Sequence, residues 1–128
     1  MSTEMTMLVW SAALAWLQIL PYSAGRNGAW TPAQVFGNRD DAPTDSGWVG
    51  RALRAHKNML ESLPIFAALV LVAQVTNQTS HLTALGAELF FWARLAYAVI
   101  YIAGVPYVRT AAWFVGVVGM GMIFVHLV

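Results

Sequence analysis

Cysteine is absent from the chain. This excludes disulfides, thiolate metal sites and a cysteine nucleophile, so any thiol chemistry must use a thiol carried by a ligand. Charge is scarce as well. Asp, Glu, Lys and Arg make up 10% of the 128 residues, where a soluble domain carries about 25%. A net charge of +1 with no Lys/Arg-rich run leaves no electrostatic footprint for nucleic acid. The three histidines, His56, His81 and His126, stand far apart and suggest no metal site. The first apolar stretch also lacks the basic leader of a signal peptide, since the only charge before it is Glu4, and Leu20-Pro21-Tyr22-Ser23-Ala24 is not a clean cleavage site. A retained spanning helix is expected there.

What the chain has is hydrocarbon. At 59% hydrophobic residues it supplies several spanning helices and too little polar surface for a water-soluble monomer. The pattern predicts an all-α integral membrane four-helix bundle in a single domain, with helices at about 5–22, 49–75, 82–103 and 106–127. Pro21 is expected to bend or end the first helix. Residues 24–47, holding Arg26, Arg39, Asp40, Asp41 and Asp45, read as a polar connection, either a mobile linker or a lid. Pro64 should kink the second helix and leave the carbonyl near Leu60 without its usual partner. Gly104-Val105-Pro106 makes a tight break. Arg26, Arg39, Arg51, Arg54 and Lys57 cluster at the first connection, and Arg109 lies by the third. By the positive-inside rule those two connections are cytoplasmic and both termini are not.

The stretch Arg51-Ala-Leu-Arg-Ala-His-Lys-Asn-Met-Leu-Glu61 carries the chemistry. At 100° per residue, Arg51, Arg54, Asn58 and Glu61 share a stripe about 80° wide, while His56 and Lys57 point elsewhere. Helical rise puts Glu61 roughly 21 Å from Val75, inside a hydrocarbon core about 30 Å thick. The third helix repeats the device. Arg94, Tyr97 and Tyr101 share a face, with Glu88 off it, and Arg109 arrives at the same side just past Pro106. Charge at membrane depth is costly and usually functional. One reading is structural, an intramembrane Glu61–Arg94 pair holding two helices together, although desolvation offsets the attraction in such a pair. The other is a ligand site, because the arginines outnumber the carboxylates and the surplus calls for an anion. Arginines suit carboxylates held bidentately, and Asn58 and Glu61 suit an amide or ammonium group. Together they fit a small zwitterionic, peptide-like molecule better than a phosphate, which favours a helix N-terminus or a glycine-rich nest. A transporter or channel is disfavoured, because residues 62–75 and 110–128 offer no hydrophilic path across.

Arg51-x-x-Arg54-x-x-x-Asn58-x-x-Glu61, followed by Pro64 and an apolar helix, resembles the signature of the membrane-associated proteins in eicosanoid and glutathione metabolism, the MAPEG family. Trp92-Ala-Arg94-Leu-Ala-Tyr97-x-x-x-Tyr101, then Pro106-Tyr107-x-Arg109-Thr110, resembles its third helix and the start of its fourth. The similarity covers about residues 48–128, and the loop containing Gly37-Asn-Arg-Asp40 looks most like small bacterial members. The resemblance implies a homotrimer in a bacterial inner membrane, with glutathione sites between subunits that open to the cytoplasm. By motif position Arg54, Asn58 and Glu61 bind glutathione, Arg51 assists at the rim, and Arg94, Tyr97 and Tyr101 complete the pocket. Arg109 matches the arginine assigned to thiol activation, with Tyr97 or Tyr101 donating to an oxygen or leaving group and Tyr107 as a fallback donor. Ser62 stands where some relatives have a tyrosine. The implied activity is that of a glutathione transferase or peroxidase acting on small lipophilic electrophiles or lipid hydroperoxides from the bilayer. The alternative is a non-catalytic membrane binding or structural protein of the same fold.

Overall fold

The structure, a computed structural model, describes residues 1–128. Six helices occur in the order α1 (Thr3–Leu17), α2 (Ile19–Ala29), α3 (Pro32–Phe36), α4 (Gly47–Val75), α5 (His81–Ala103) and α6 (Pro106–Leu127). Joined end to end at Gln18, α1 and α2 form one span, so four segments are long and apolar enough to cross a bilayer.

The first span differs from the sequence expectation at its end. It does not stop near residue 22 but continues to Ala29, seven residues further. The reason is the place of Pro21. It is the third residue of α2, in a first turn whose N–H groups have no intrahelical acceptor, so the missing proton costs nothing there. The connection between the first two spans therefore shrinks to residues 30–46, and α3 sits inside it. Thr31 and Gln34 cap α3 reciprocally, with Pro32 at its first position. The connection is tethered rather than free. Arg26 grips Asp45 through both carboxylate oxygens, at 3.0 and 3.1 Å from Nε, and its guanidinium lies between the rings of Tyr22 and Trp30.

At 29 residues α4 is about 43 Å long, roughly 13 Å more than the hydrocarbon core. A hydrocarbon core that begins at Val75 would leave the first two turns of α4 beyond the bilayer, with Arg51 and Arg54 at the headgroups and Glu61 inside. The helix runs unbroken through Pro64. At its far end Ser80 and Thr83 form a capping box that starts α5, and Gly104 ends α5 with φ +87°, a conformation that a β-carbon disfavours.

The spans make a rhombus. The pairs α1–α4, α4–α6, α6–α5 and α5–α1 form its edges, α4 and α5 touch across the short diagonal, and α1 and α6 do not meet. Phe66 of α4 and Phe90 of α5 stack on that diagonal with ring centroids 4.0 Å apart, among Met59, Val70, Ala87 and Ile123. The α5–α6 edge is the tightest. A Cβ placed at Gly86 or Gly119 would stand 2.5 Å from the other's carbonyl oxygen. Close backbone approach of this kind is the main source of helix association where lipid removes the hydrophobic driving force.

Candidate functional site

The polar residues singled out in the sequence gather where α4 projects beyond the rhombus, beside the turn from α5 to α6. Arg94 is the buried member, 2% exposed, because α5 sits on the short diagonal. Its Nη2 donates to Asn58 Oδ1 at 2.7 Å, and its guanidinium carbon lies 4.2 Å from the centre of the Tyr97 ring. Its Nε has no partner within the chain. No Glu61–Arg94 pair forms. The one ion pair in the chain is Arg26–Asp45, well apart from the stripe in sequence. The structural alternative raised by the sequence, a carboxylate staple between α4 and α5, is replaced by an amide contact through Asn58.

The other arginines are also held by neutral groups. Arg51 donates from Nε to the carbonyl of Ile102 at 3.0 Å, one of the last carbonyls of α5, where the helix dipole favours a cation. Its guanidinium lies against Gly104, and a Cβ there would crowd it at 3.3 Å. Arg54 donates from Nε to the Tyr101 hydroxyl at 3.1 Å and is otherwise exposed. Arg109 lies over the face of the same Tyr101 ring, 4.1 Å from its centre. Tyr97 and Tyr101, one helical turn apart, meet edge to face at 5.5 Å. Glu61 is exposed on the outer side of α4. The cluster thus holds four guanidinium groups and one carboxylate with no ion pair among them.

Two adjoining clefts open beside these groups on the α4–α6 edge. A smaller one of about 190 Å³ is lined by Asn58, Tyr97, Arg109, Thr110 and Trp113. A larger one of about 350 Å³ shares Asn58 and Trp113 with it and continues past Glu61 to Ile65, Val117 and Met120. The first is a polar head with an arginine in its wall. The second is lined mostly by apolar side chains.

Six of the eight singled-out residues, Arg54, Asn58, Arg94, Tyr97, Tyr101 and Arg109, are linked to one another by hydrogen bonds and ring contacts. Arg51 spends its Nε on the end of α5, and Glu61 lines the larger cleft without touching an arginine. Trp113 reads from the sequence as a bilayer or packing residue, yet it stands where the two clefts join. The signal for it was its spacing: Thr110 and Trp113 lie one and four residues beyond Arg109, and the four-residue step keeps one helical face. Ser62 is another such member, with its hydroxyl turned back onto the Met59 carbonyl of its own helix at 3.2 Å. His56, off the polar stripe, is buried at 7% exposure, with its ring 5.4 Å from Tyr22. Tyr107 is 88% exposed and lines neither cleft. Nowhere do three His, Asp or Glu side chains converge on a point.

A family model described as "MAPEG family" matches residues 3–128, essentially the whole chain. No curated protein and no solved structure matches.

Proposed function

Since the chain belongs to the MAPEG family, whose members are membrane proteins of the glutathione transferase and peroxidase type, we propose that it binds glutathione and transfers its thiol to lipophilic electrophiles or uses it to reduce lipid hydroperoxides. The observation that carries this reading is the arginine cluster, four cations against one carboxylate, at the mouth of a polar cleft that runs into an apolar one.

Glutathione, the co-substrate, bears two carboxylates, an ammonium and a thiol. Arg54 keeps its terminal nitrogens for a carboxylate while its Nε holds Tyr101, and Arg51 supports it from the rim. Glu61 is the one anion available to the ammonium, and Asn58 has its amide NH₂ to offer while its oxygen serves Arg94. Arg109, in the wall of the smaller cleft, favours the thiolate. A free thiol has a pKa near 8.5, so about 3% is ionised at pH 7. A downward shift of two units, about 2.7 kcal/mol, raises that to roughly three-quarters.

Tyr101 accepts a hydrogen bond from Arg54, which leaves its own proton free to donate to an oxygen or leaving group. Tyr97 offers a second hydroxyl beside it. In conjugation the sulfur–carbon bond forms as the leaving group departs with its electron pair. In the peroxidase reaction two thiols give a disulfide while the hydroperoxide becomes an alcohol and water. The second substrate enters along Ile65, Val117 and Met120 from the bilayer.

Glu61 is exposed on a spanning helix and has no ion-pair partner within the chain. Hydrocarbon offers a carboxylate none, which supports a homotrimer in which a neighbouring copy covers the α4–α6 edge and closes the site. The basic residues at this end support a site that faces the cytoplasm, with the termini opposite, and the resemblance of the Gly37-Asn-Arg-Asp40 loop to small bacterial members supports a bacterial inner membrane. The decisive experiment is equilibrium binding of labelled glutathione to the detergent-solubilised protein, followed by conjugation with a general aryl halide. Saturable binding with turnover is the expected result. Binding without turnover or peroxidase activity would assign a binding role instead, and absence of binding would end the proposal.

A further inference from the structure

A second feature stands on the α1–α5 edge, opposite the α4–α6 clefts across the rhombus. Met7 and Trp10 of α1 and Phe91, Trp92 and Leu95 of α5 line an apolar groove of about 240 Å³. Both indoles are more than half exposed. On the same face of α5, one turn before Phe91 and Trp92, is Glu88, exposed and without an ion-pair partner.

The register of the two helices places this carboxylate at the head of the groove. Both α1 and α5 start at the end of the bundle that holds the chain termini, and they run parallel. The hydrogen bond between Thr83 and Glu4 sets those residues level. Equal rise along both helices then brings Glu88 level with Val9 and Trp10. Seven residues separate Glu88 from the start of α5, so it lies about 10 Å in along the helix. A bare carboxylate facing hydrocarbon at that depth is costly and calls for a partner, and every Lys and Arg lies towards the opposite end of the bundle.

We propose that Glu88 and the Trp10–Trp92 groove form a binding site for a lipophilic ammonium, an alkyl chain ending in an amine or quaternary nitrogen. The carboxylate balances the charge, the two indole faces attract it, and the groove takes the chain. Depth selects among ammonium lipids. In a phospholipid the ammonium lies outside the phosphate, at the interface, and reaching Glu88 would drag the phosphate into hydrocarbon. A phosphate-free amphiphile carries no such burden. The site is independent of the glutathione reading, since it shares no residue with the α4–α6 clefts.

The test uses the full chain in phosphatidylcholine nanodiscs and an alkyltrimethylammonium whose brominated chain quenches indole fluorescence on contact. The comparator is the same brominated chain ending in a hydroxyl. Saturable quenching by the ammonium is expected, with Glu88→Gln raising the half-saturating mole fraction about tenfold, towards that of the alcohol. Trp10→Leu and Trp92→Leu should each remove part of the quenched signal, and Arg54→Ala should leave saturation unchanged. Equal saturation of wild type and Glu88→Gln overturns the proposal, as does equal binding of the alcohol. Displacement of the probe by phosphatidylethanolamine as readily as by an unbrominated alkylammonium overturns the depth argument and the proposal with it. Absence of quenching from either Trp10 or Trp92 shows the face covered, by a second copy or otherwise, and also overturns it.

Discussion

The two ends of the bundle are both polar and use their polarity in opposite ways. At the end with the chain termini, Ser2 donates to Gln74 at 2.6 Å, Thr83 and the buried Glu4 share a 2.5 Å hydrogen bond, and Ser80 and Thr83 cap α5 reciprocally. These groups tie the starts of α1 and α5 to the end of α4, each satisfied within the chain. At the other end four arginines are held only by a carbonyl, a phenol, an amide and two aromatic rings. Neutral partners orient a guanidinium without neutralising it. The first end is a staple. The second is a preorganised surface whose charge is left for something from outside.

The largest effect that would test this contrast is on turnover. Arg109→Ala is expected to lower conjugation with a general electrophile by about two orders of magnitude while glutathione binding falls only a few-fold. Retained turnover would move thiol activation to another group. Next comes binding itself. Arg54→Ala should weaken glutathione roughly tenfold to a hundredfold by equilibrium titration, the loss of a charge-assisted contact of about 1.5–3 kcal/mol.

Gly119→Ala should act on both ends at once. Its new Cβ would strike the Gly86 carbonyl and part α5 from α6, costing about 1–3 kcal/mol by thermal unfolding in detergent, with loss of binding because Arg94 and Arg109 separate. Glu4→Ala belongs to the staple alone. It should cost about 1 kcal/mol in the same unfolding assay and leave glutathione affinity unchanged. Smallest is Ser62→Ala, whose hydroxyl bonds only its own helix and whose loss should change affinity by less than about twofold. If Glu4→Ala weakened glutathione as much as Arg54→Ala, the division between a staple and a binding surface would fail.

Much of the cluster was legible because helical phase is local. Arg54, Asn58, Arg94, Tyr97 and Tyr101 follow from a fixed rotation per residue, and the structure brings them together. Trp113 shares a helical face with Arg109, but nothing in its own stretch tells whether α6 turns that face to α4 or to lipid. The end of the first span is not legible either. Proline reads as a terminator, but a new helix starts after Gln18, and in it Pro21 occupies a permitted position. The connection after it reads as a mobile linker or a lid, and nothing local tells that Arg26 holds Asp45, a contact across nineteen residues.

By itself the sequence determined four hydrocarbon-length helices, an excess of arginine at one end and the faces those arginines share. These follow from composition and from rotation per residue, which any isolated helix would obey. Tertiary structure decided the partners: Asn58 rather than Glu61 for Arg94, a backbone carbonyl for Arg51, an outward face for Glu88. Partner choice depends on how far each helix is turned and slid against its neighbours. That is set by close backbone contacts such as Gly86 against Gly119, and no single segment encodes it.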